Sequence, residues 1–351
     1  MDSKFDLTTL VRANVANMKP YSSARDEFKD FDAEMVFLDA NENPFTNGVN
    51  RYPDPQQRDL KALLAEQKGV NTAQILLGNG SDEVLDLLFR AFCNPGIDSV
   101  ITMPPTYGMY KVLAATNAIQ AKEVLLTTEF EMDLPAVLNA ITPEVKMIFV
   151  CSPNNPSGNV INTNSIKSLL QSFNGLVVID EAYIDFTQQK SWIKSLSEYP
   201  NLVVTQTLSK AYGMAGIRLG ICYASEEIIS ILNKIKPPYN VNKLTQQRAF
   251  DRVQAIDKVK QEVIKIIDQR DIIQDALKRI DFVTTIYPSE ANFILAKVDN
   301  ASRRYDQLLN LGIVVRNRST QPLCENCLRF TVGTEQENKK LIAALYKISQ
   351  Q

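Results

Sequence analysis

The sequence predicts an α/β protein with a largely parallel sheet covered by helices, followed by a second, smaller domain. Short apolar runs alternate with amphipathic helical patterns through most of the chain. Because these runs are apolar at successive positions, both faces of the sheet must be covered, as in parallel α/β sheets. The pattern changes after Pro237, where a long charged helical stretch follows. A chain of 351 residues is long enough for about two domains.

The chain opens with a helical pattern and continues with strand-like runs. Apolar residues recur at helical spacing from Leu7 to Met18, and Pro20 closes this predicted helix. Short apolar runs then predict the strands of the first domain. They are 36–38, 75–77, 100–101, 124–126, 147–150, 176–179, 202–205 and 219–223. Apolar stripes between these runs, as at 84–92 and 228–235, predict the covering helices.

The C-terminal part of the chain predicts a separate unit. Residues 243–280 form a long, charged helical pattern at its start. Strand-like runs follow at 292–296, 313–316 and 328–332. The last helix begins with a capping box of Thr334 and Glu337. We therefore predict an N-terminal arm at 1–34 that packs with the small domain, a large domain at 35–240 and a small α+β domain at 241–351.

Composition excludes several classes of function. The formal net charge of −2 gives no electrostatic case for nucleic acid. The chain has no histidine, which excludes histidine-based zinc sites and Ser-His-Asp catalysis. No apolar run reaches the roughly 18 residues of a membrane span, and no secretory signal opens the chain. Its five dispersed cysteines predict reduced thiols in a cytoplasmic protein, and the isolated Cys324–Cys327 pair does not predict a metal site.

A glycine-containing segment follows the first buried strand. Leu77-Gly78-Asn79-Gly80-Ser81 runs from a strand through glycines into a helix, where exposed amides can bind a phosphate. The segment lacks the third glycine of a dinucleotide fingerprint and the GK[ST] of a P-loop. Taken alone, it is more simply explained by Ser81 or Asp82 capping the helix.

A carboxylate and an amine follow two further strands. Asp180 directly follows the apolar run at 176–179, at the strand end where open α/β sheets bind ligands. A carboxylate at that place would suit a buried cation. Capping of the next helix explains Asp180 equally well. Lys210 follows another strand and could be an amine nucleophile, with Arg218 lowering its pKa or holding an anion. Most lysines, however, are solvated surface residues.

Asn155 lies in a fourth segment of this kind, the turn from Cys151 to Gly158. Its prolines and glycine either form a simple turn or present an amide into a cleft. All four segments follow strands of one sheet, so together they supply a phosphate cradle, a carboxylate, an amine and an amide donor. This set matches pyridoxal phosphate, which has a phosphate, a pyridinium nitrogen, an aldehyde and a ring hydroxyl.

The same segments resemble the fold-type I, aspartate-aminotransferase-like enzymes, and most closely the family of histidinol-phosphate aminotransferases. The matching motifs run in order through nearly the whole chain. They are KPYSSAR at 19–25, LDANENPF at 38–45, RYPDP at 51–55, GNGSDEVLDLLFRAF at 78–92, PPTYGMY at 104–110, CSPNNPSG at 151–158, DEAYIDF at 180–186, TLSKAYGMAGIRLG at 207–220 and LRFTVGT at 328–334. The resemblance implies a mostly parallel seven-stranded sheet in a large domain, a small α+β domain, and pyridoxal 5′-phosphate as cofactor.

The resemblance also implies a role for each residue. Lys210, Asp180 and Tyr183 would be catalytic: Lys210 as the Schiff-base lysine and proton carrier, Asp180 on the pyridine nitrogen. The other implied cofactor contacts are Asn155 with Tyr183 at the ring hydroxyl, Tyr107 on the ring face, and Ser81, Asp82, Ser209 and Arg218 at the phosphate. Tyr52 resembles a tyrosine that reaches this phosphate from the neighbouring subunit, which implies a homodimer with shared active sites.

For the substrate, Tyr21, Arg316 and Arg329 resemble residues that bind the phosphate of histidinol phosphate. Arg329 would also bind the carboxylate of glutamate or 2-oxoglutarate. The implied reaction interconverts L-histidinol phosphate and 2-oxoglutarate with imidazole-acetol phosphate and L-glutamate, in histidine biosynthesis. An aromatic amino acid aminotransferase or a threonine-phosphate decarboxylase would keep the same Lys210, Asp180 and Arg218. A non-catalytic ligand-sensing regulator is a remote alternative, because the chain offers no basic DNA-binding appendage.

Overall fold

The computed structural model describes residues 5–21, 25 and 36–350. Its strands are β1 (Ile75–Asn79), β2 (Ser99–Thr102), β3 (Gln120–Glu123), β4 (Val145–Cys151), β5 (Leu176–Asp180), β6 (Leu202–Thr207), β7 (Leu219–Ala224), β8 (Val283–Ile286), β9 (Phe293–Val298), β10 (Arg316–Asn317) and β11 (Cys327–Thr331). Its α-helices are α1 (Ala13–Asn17), α2 (Arg58–Lys68), α3 (Ser81–Phe92), α4 (Met109–Thr116), α5 (Leu134–Asn139), α6 (Thr163–Ser172), α7 (Glu226–Ile235), α8 (Lys243–Gln254), α9 (Ile256–Leu277), α10 (Ala301–Asn310) and α11 (Glu335–Ser349).

Strands β1 to β7 form one sheet in the order β1-β7-β6-β5-β4-β2-β3. Neighbours from β6 to β3 pair in parallel, and β7 pairs antiparallel with both β6 and β1. Every residue of β5 is buried, with Val177 and Ile179 in one apolar cluster and Leu176 and Val178 in another. Helices α2 and α6 pack on the first cluster, and α3, α4 and α7 on the second. The predicted α/β class and mostly parallel seven-stranded sheet are confirmed.

Strands β8 to β11 form a second, antiparallel sheet in the order β10-β11-β9-β8. Helices α9, α10 and α11 cover it with a separate apolar cluster that includes Leu277, Leu308 and Leu345. The predicted capping box at the start of α11 is present, with Thr334 and Glu337 bonded to each other's backbone N–H. The domain limits at 35, 240 and 241 stay a prediction. The described part of the N-terminal arm does not pack with the small domain as predicted: Leu10 lies in the apolar cluster of α3 and α7, and the N–H of Arg12 donates to the carbonyl oxygen of Ala91.

Several expected elements differ from the structure. Val36 and Leu38 belong to no strand and are 85% and 87% exposed. The predicted strand at 36–38 is therefore wrong. The edge strand is β3 rather than 124–126, because an edge strand tolerates polar residues such as Lys122. The predicted strand at 313–316 is reduced to β10, whereas β8 was not predicted because its central threonines are exposed.

Two predicted helices are interrupted. The N-terminal helix consists of a 3₁₀ turn at Leu7–Thr9 and the short α1, because the carboxylate of Asp6 caps the 3₁₀ turn and Arg12 is extended. The long helical stretch is divided into α8 and α9 at Ala255.

The five cysteines are free and buried, including Cys324 and Cys327. Among the helices of the described residues, none combines the length and apolar character needed to cross a lipid bilayer.

Strand β7 approaches the start of α3 so closely that it requires glycine at position 220. Gly220 pairs with Gly78 of β1, and a Cβ atom on Gly220 would lie 2.2 Å from the backbone nitrogen of Ser81. Such a separation is far inside van der Waals contact, so a side chain here must displace the backbone of α3.

Gly220→Ala should therefore destabilise the protein by about 1–3 kcal/mol, which a lower urea midpoint by circular dichroism would reveal. Gly216→Ala is the matched control, because a Cβ atom there meets nothing within 4 Å. Equal midpoints for the two variants would contradict the close-approach argument.

Candidate active site

The carboxyl ends of β4, β5 and β6 open into a cavity of about 580 Å³. The start of α3 lies on one side, and the β10–β11 pair of the second sheet lies on the other. Most of the predicted site residues line this cavity. They are Ser81, Asp82, Tyr107, Asn155, Asp180, Tyr183, Ser209, Lys210, Arg218, Arg316 and Arg329.

Two predicted site residues, Tyr21 and Tyr52, do not line this cavity. Tyr52 lines a separate cavity, is 52% exposed and stacks on Tyr239 with ring centres 4.5 Å apart. Tyr21 is 74% exposed. A single copy of the chain therefore does not bring these two tyrosines to the other site residues.

The start of α3 leaves its first amides free of a side-chain cap. The N-cap is Gly80, with φ of 84°, and Ser81 is the first helical residue. The simpler explanation that Ser81 or Asp82 caps the helix is therefore wrong. The guanidinium of Arg218 lies next to Gly80. A Cβ atom on Gly80 would be only 2.9 Å from Nη2 of Arg218. Free amides beside a guanidinium form an anion-binding end of the cavity.

Asp180 is a buried carboxylate held by neutral donors. The hydroxyl of Tyr110 donates to its Oδ2 at 2.7 Å, and the N–H of Ala182 donates to its Oδ1 at 3.1 Å. Within the described ranges, no lysine or arginine forms an ion pair with it. Burial raises the pKa of Asp180, and these hydrogen bonds oppose the rise. A buried carboxylate without a cation is suited to a cationic ligand.

Lys210 lines the cavity together with Arg218, which lies by the start of α3, and Arg329 of β11. Its Nζ is 5.6 Å from the centre of the Tyr183 ring. Burial lowers the pKa of Lys210, the nearby Arg329 and Arg218 lower it further, and Asp180 opposes them. A lowered pKa increases the fraction of neutral amine near neutral pH, which is the form that attacks a carbonyl.

A hydrogen bond links the second sheet to the turn that follows β4. Arg329 of β11 donates from Nη1 to Oδ1 of the buried Asn155, at 2.5 Å. Tyr183 lines the same cavity, where burial raises its pKa and the Arg329 charge opposes the rise. On the opposite side, the hydroxyl of Tyr107 donates to Asp82 Oδ1 at 3.0 Å.

Sequence reasoning missed three residues of this site. Tyr110 is fully buried and donates a hydrogen bond to Asp180. Its signal was a second tyrosine in the same PPTYGMY motif as Tyr107, at the start of α4, where its ring packs edge-on against that of Tyr107. Arg318 and Gln321 line the cavity. The signal for Arg318 was its position two residues after Arg316, which places both on one face of a strand.

These residues fit pyridoxal 5′-phosphate. The uncapped start of α3 with Arg218 suits a phosphate, and the unpaired carboxylate of Asp180 suits a protonated pyridine nitrogen. The amine of Lys210 suits an aldehyde.

Comparison with known proteins agrees with this geometry. The family model "Aminotransferase class I and II" matches residues 26–345. The chain belongs to this family of aminotransferases.

Individual relatives carry a narrower name. A histidinol-phosphate aminotransferase of Flavobacterium johnsoniae is 64% identical over 342 residues, which cover 97% of this chain and 98% of that protein. That of Christiangramia forsetii is 62% identical over 344 residues, 98% of each chain. The crystal structure of the Sinorhizobium meliloti histidinol-phosphate aminotransferase, in complex with pyridoxal-5′-phosphate, is similar with a TM-score of 0.79 at 25% identity. It covers 86% of this chain and 83% of that chain.

Asp180→Asn should stabilise the cofactor-free protein while removing most activity. Because burial raises the pKa of Asp180, its ionisation opposes folding, increasingly as the pH rises above the ordinary pKa of a solvent-exposed aspartate. The gain in melting temperature over wild type should therefore be larger near pH 7 than near pH 4. Turnover of the loaded enzyme should fall about 10²- to 10³-fold, as on removal of one preorganised electrostatic group.

Asp185→Asn is the matched control for this substitution. Burial also raises the pKa of Asp185, but this carboxylate lines a different cavity. It should show a similar thermal gain with unchanged turnover. Wild-type turnover in Asp180→Asn would contradict the assignment of Asp180 to the site.

Proposed function

We propose that this aminotransferase transfers the amino group of L-histidinol phosphate to 2-oxoglutarate, giving imidazole-acetol phosphate and L-glutamate. The observation that carries this proposal is the presence of two separate groups of arginine in the cavity that Lys210 lines. Arg218 lies by the start of α3, whereas Arg316 and Arg329 lie on β10 and β11. A cofactor with one phosphate uses one group, so the other is left for an anionic group of the substrate. The relatives named histidinol-phosphate aminotransferase support a phosphate as that group.

The cofactor is pyridoxal 5′-phosphate, which when bound supplies a ring that accepts electrons from the substrate α-carbon. Asp180 holds the proton on the pyridine nitrogen, while Tyr110 fixes its carboxylate. Tyr183 and the Nδ2 of Asn155 donate to the ring hydroxyl, since the Oδ1 of Asn155 already accepts from Arg329. The proposed phosphate contacts are Ser81, Asp82, Ser209 and Arg218, and Tyr107 packs on the ring face.

Lys210 would hold the cofactor aldehyde through its amine and, once released by the substrate amine, would move the proton between the substrate α-carbon and cofactor C4′. Both roles need the neutral amine, and the lowered pKa of Lys210 supports them. Lys210 is half-buried in the cavity, which reduces its contact with water.

Arg316 and Arg329 bind the substrate phosphate, and Arg329 also binds a carboxylate of glutamate. Their positions opposite one another on β10 and β11 support this pairing. For Tyr21, the support is its place in the matching KPYSSAR motif.

The chain forms a homodimer in which Tyr52 reaches the cofactor phosphate of the partner subunit. Tyr52 does not line the cavity that contains Lys210 of the same chain. This position supports a role in the corresponding cavity of a partner subunit. The neighbouring apolar side chains Val36, Leu38 and Phe45 are 85%, 87% and 80% exposed, as expected of a surface that a partner covers. Five free cysteines support a reducing compartment such as the cytoplasm.

The substrate is tested in a single half-reaction. Holoenzyme mixed with histidinol phosphate, without a keto acid, should lose the visible absorbance of the bound aldehyde form in a stopped-flow spectrophotometer. Phenylalanine and threonine phosphate should react far more slowly, because only histidinol phosphate combines the phosphate with an aromatic imidazole. Lys210→Ala should retain phosphate-dependent cofactor binding and lose turnover.

Each alternative has its own outcome in that experiment. Reaction with phenylalanine alone would identify an aromatic amino acid aminotransferase. Carbon dioxide release from threonine phosphate would identify a decarboxylase. If none of the three compounds reacts, the result would favour the non-catalytic ligand-sensing regulator.

The shared site is tested with Tyr52→Phe. This variant should raise the dissociation constant of the cofactor about 10-fold, as expected for one hydrogen bond to a charged group. Equilibrium dialysis measures this constant, and sedimentation should give a dimer. Tyr239→Phe, on the ring that stacks with Tyr52, is the control and should leave cofactor binding unchanged. A fully active monomer would contradict the dimer proposal.

A further inference from the structure

The short β10–β11 pairing presents three arginines on one face. Arg316 of β10 lies directly opposite Arg329 of β11. The N–H of Arg318 donates to the carbonyl oxygen of Cys327 at 2.8 Å, which continues the pairing beyond β10. Residues two apart on a strand share a face, so Arg316, Arg318 and Arg329 point to the same side. All three line the 580 Å³ cavity.

This cluster has no internal counter-charge. Elsewhere among the described residues, two buried arginines form close ion pairs: Arg25 with Glu42 at 2.8 Å, and Arg304 with Asp299 at 2.6 Å. In contrast, no carboxylate of residues 5–21, 25 or 36–350 forms an ion pair with Arg316, Arg318 or Arg329. Burial lowers the pKa of Arg318 to about 10, and the like charges of Arg329 and Arg316 contribute to that lowering.

The same region contains buried polar atoms without partners. They include Nε of Arg318 and Nε of Arg329, which hydrogen-bond to nothing in the described structure. A buried donor without an acceptor is destabilising, by more when the group is charged. An anion in the cavity would supply acceptors to both guanidinium groups, each of which presents several N–H donors in one plane.

We infer that Arg318 is a third anion-binding residue and that it makes this end of the cavity favour a phosphate monoester over a single carboxylate. This inference rests on the proposed function and specifies which residue selects its substrate class. The attraction between one guanidinium and a dianion is about twice that with a monoanion at the same distance. Arg318 is also less exposed than Arg316, so water and salt screen its charge less. Removing Arg318 should therefore affect phosphate recognition more than carboxylate recognition.

The test compares the two half-reactions in Arg318→Gln holoenzyme. The kcat/KM for histidinol phosphate should fall roughly 10- to 100-fold, the range for one charged hydrogen-bond partner, whereas that for glutamate should fall less than about 5-fold. Arg318→Lys should recover part of the loss with histidinol phosphate, because it restores the charge without the planar fork. Arg303→Gln makes the same charge change at an exposed position of α10 outside the cavity and should change neither value.

Inorganic phosphate provides a readout that does not depend on turnover. Titrated calorimetrically into holoenzyme, phosphate should bind Arg318→Gln about 10-fold more weakly than wild type or Arg303→Gln. If wild type fails to react with histidinol phosphate, the proposed function fails, but this titration still decides the role of Arg318. Equal losses in the two half-reactions, or unchanged phosphate affinity in Arg318→Gln, would overturn the inference.

Discussion

The site depends on the parallel pairing of β4, β5 and β6, because parallel strands end at the same edge of a sheet. The residues that follow these strands are far apart in sequence, yet the pairing brings Asn155, Asp180 and Lys210 into one cavity. The strands are buried on both faces, so their ends are fixed by packing rather than by the loops that follow. That rigidity allows a carboxylate to stay buried with only neutral hydrogen bonds, since the surrounding dipoles cannot move away from it.

Charge is distributed unevenly within a nearly neutral chain. The formal net charge is −2, but the cavity is lined by four arginines and by the buried carboxylate of Asp180, which has no ion pair. The buried Asp180 and the partly buried Arg318 and Arg329, which lack ion-pair partners in the described structure, raise the free energy of the folded chain when no ligand compensates them. The site is therefore an example of stability given up for preorganised electrostatics, and the ligands that it binds should also stabilise the fold.

The central strands were predictable from sequence because their signal is local: each is a short apolar run that helices cover on both faces. The resemblance of the motifs supplied the site residues, and eleven of them line one cavity. Exposed edge strands such as β8 gave no such signal, since half of their positions face solvent.

Tyr110 and Arg318 were missed for another reason. A tyrosine on an amphipathic helix predicts only burial, and an arginine near a turn predicts only solvent exposure, so their partners come from tertiary packing alone. The predicted N-cap of α3, Ser81 or Asp82, was wrong because the helix begins one residue earlier. Gly80 occupies the N-cap position with a positive φ of 84°, which glycine adopts readily.

The hydrogen bond between Asn155 and Arg329 joins residues 174 positions apart in the chain. The residues assigned to the cofactor in the chain's own cavity all lie between Ser81 and Arg218, whereas the three arginines of the anion-binding end lie after residue 315. During synthesis from the N-terminus, the ribosome therefore releases the cofactor-binding half before the half that selects the substrate. A chain interrupted between them would contain the reactive lysine and its acidic partner without any means of choosing what reacts there.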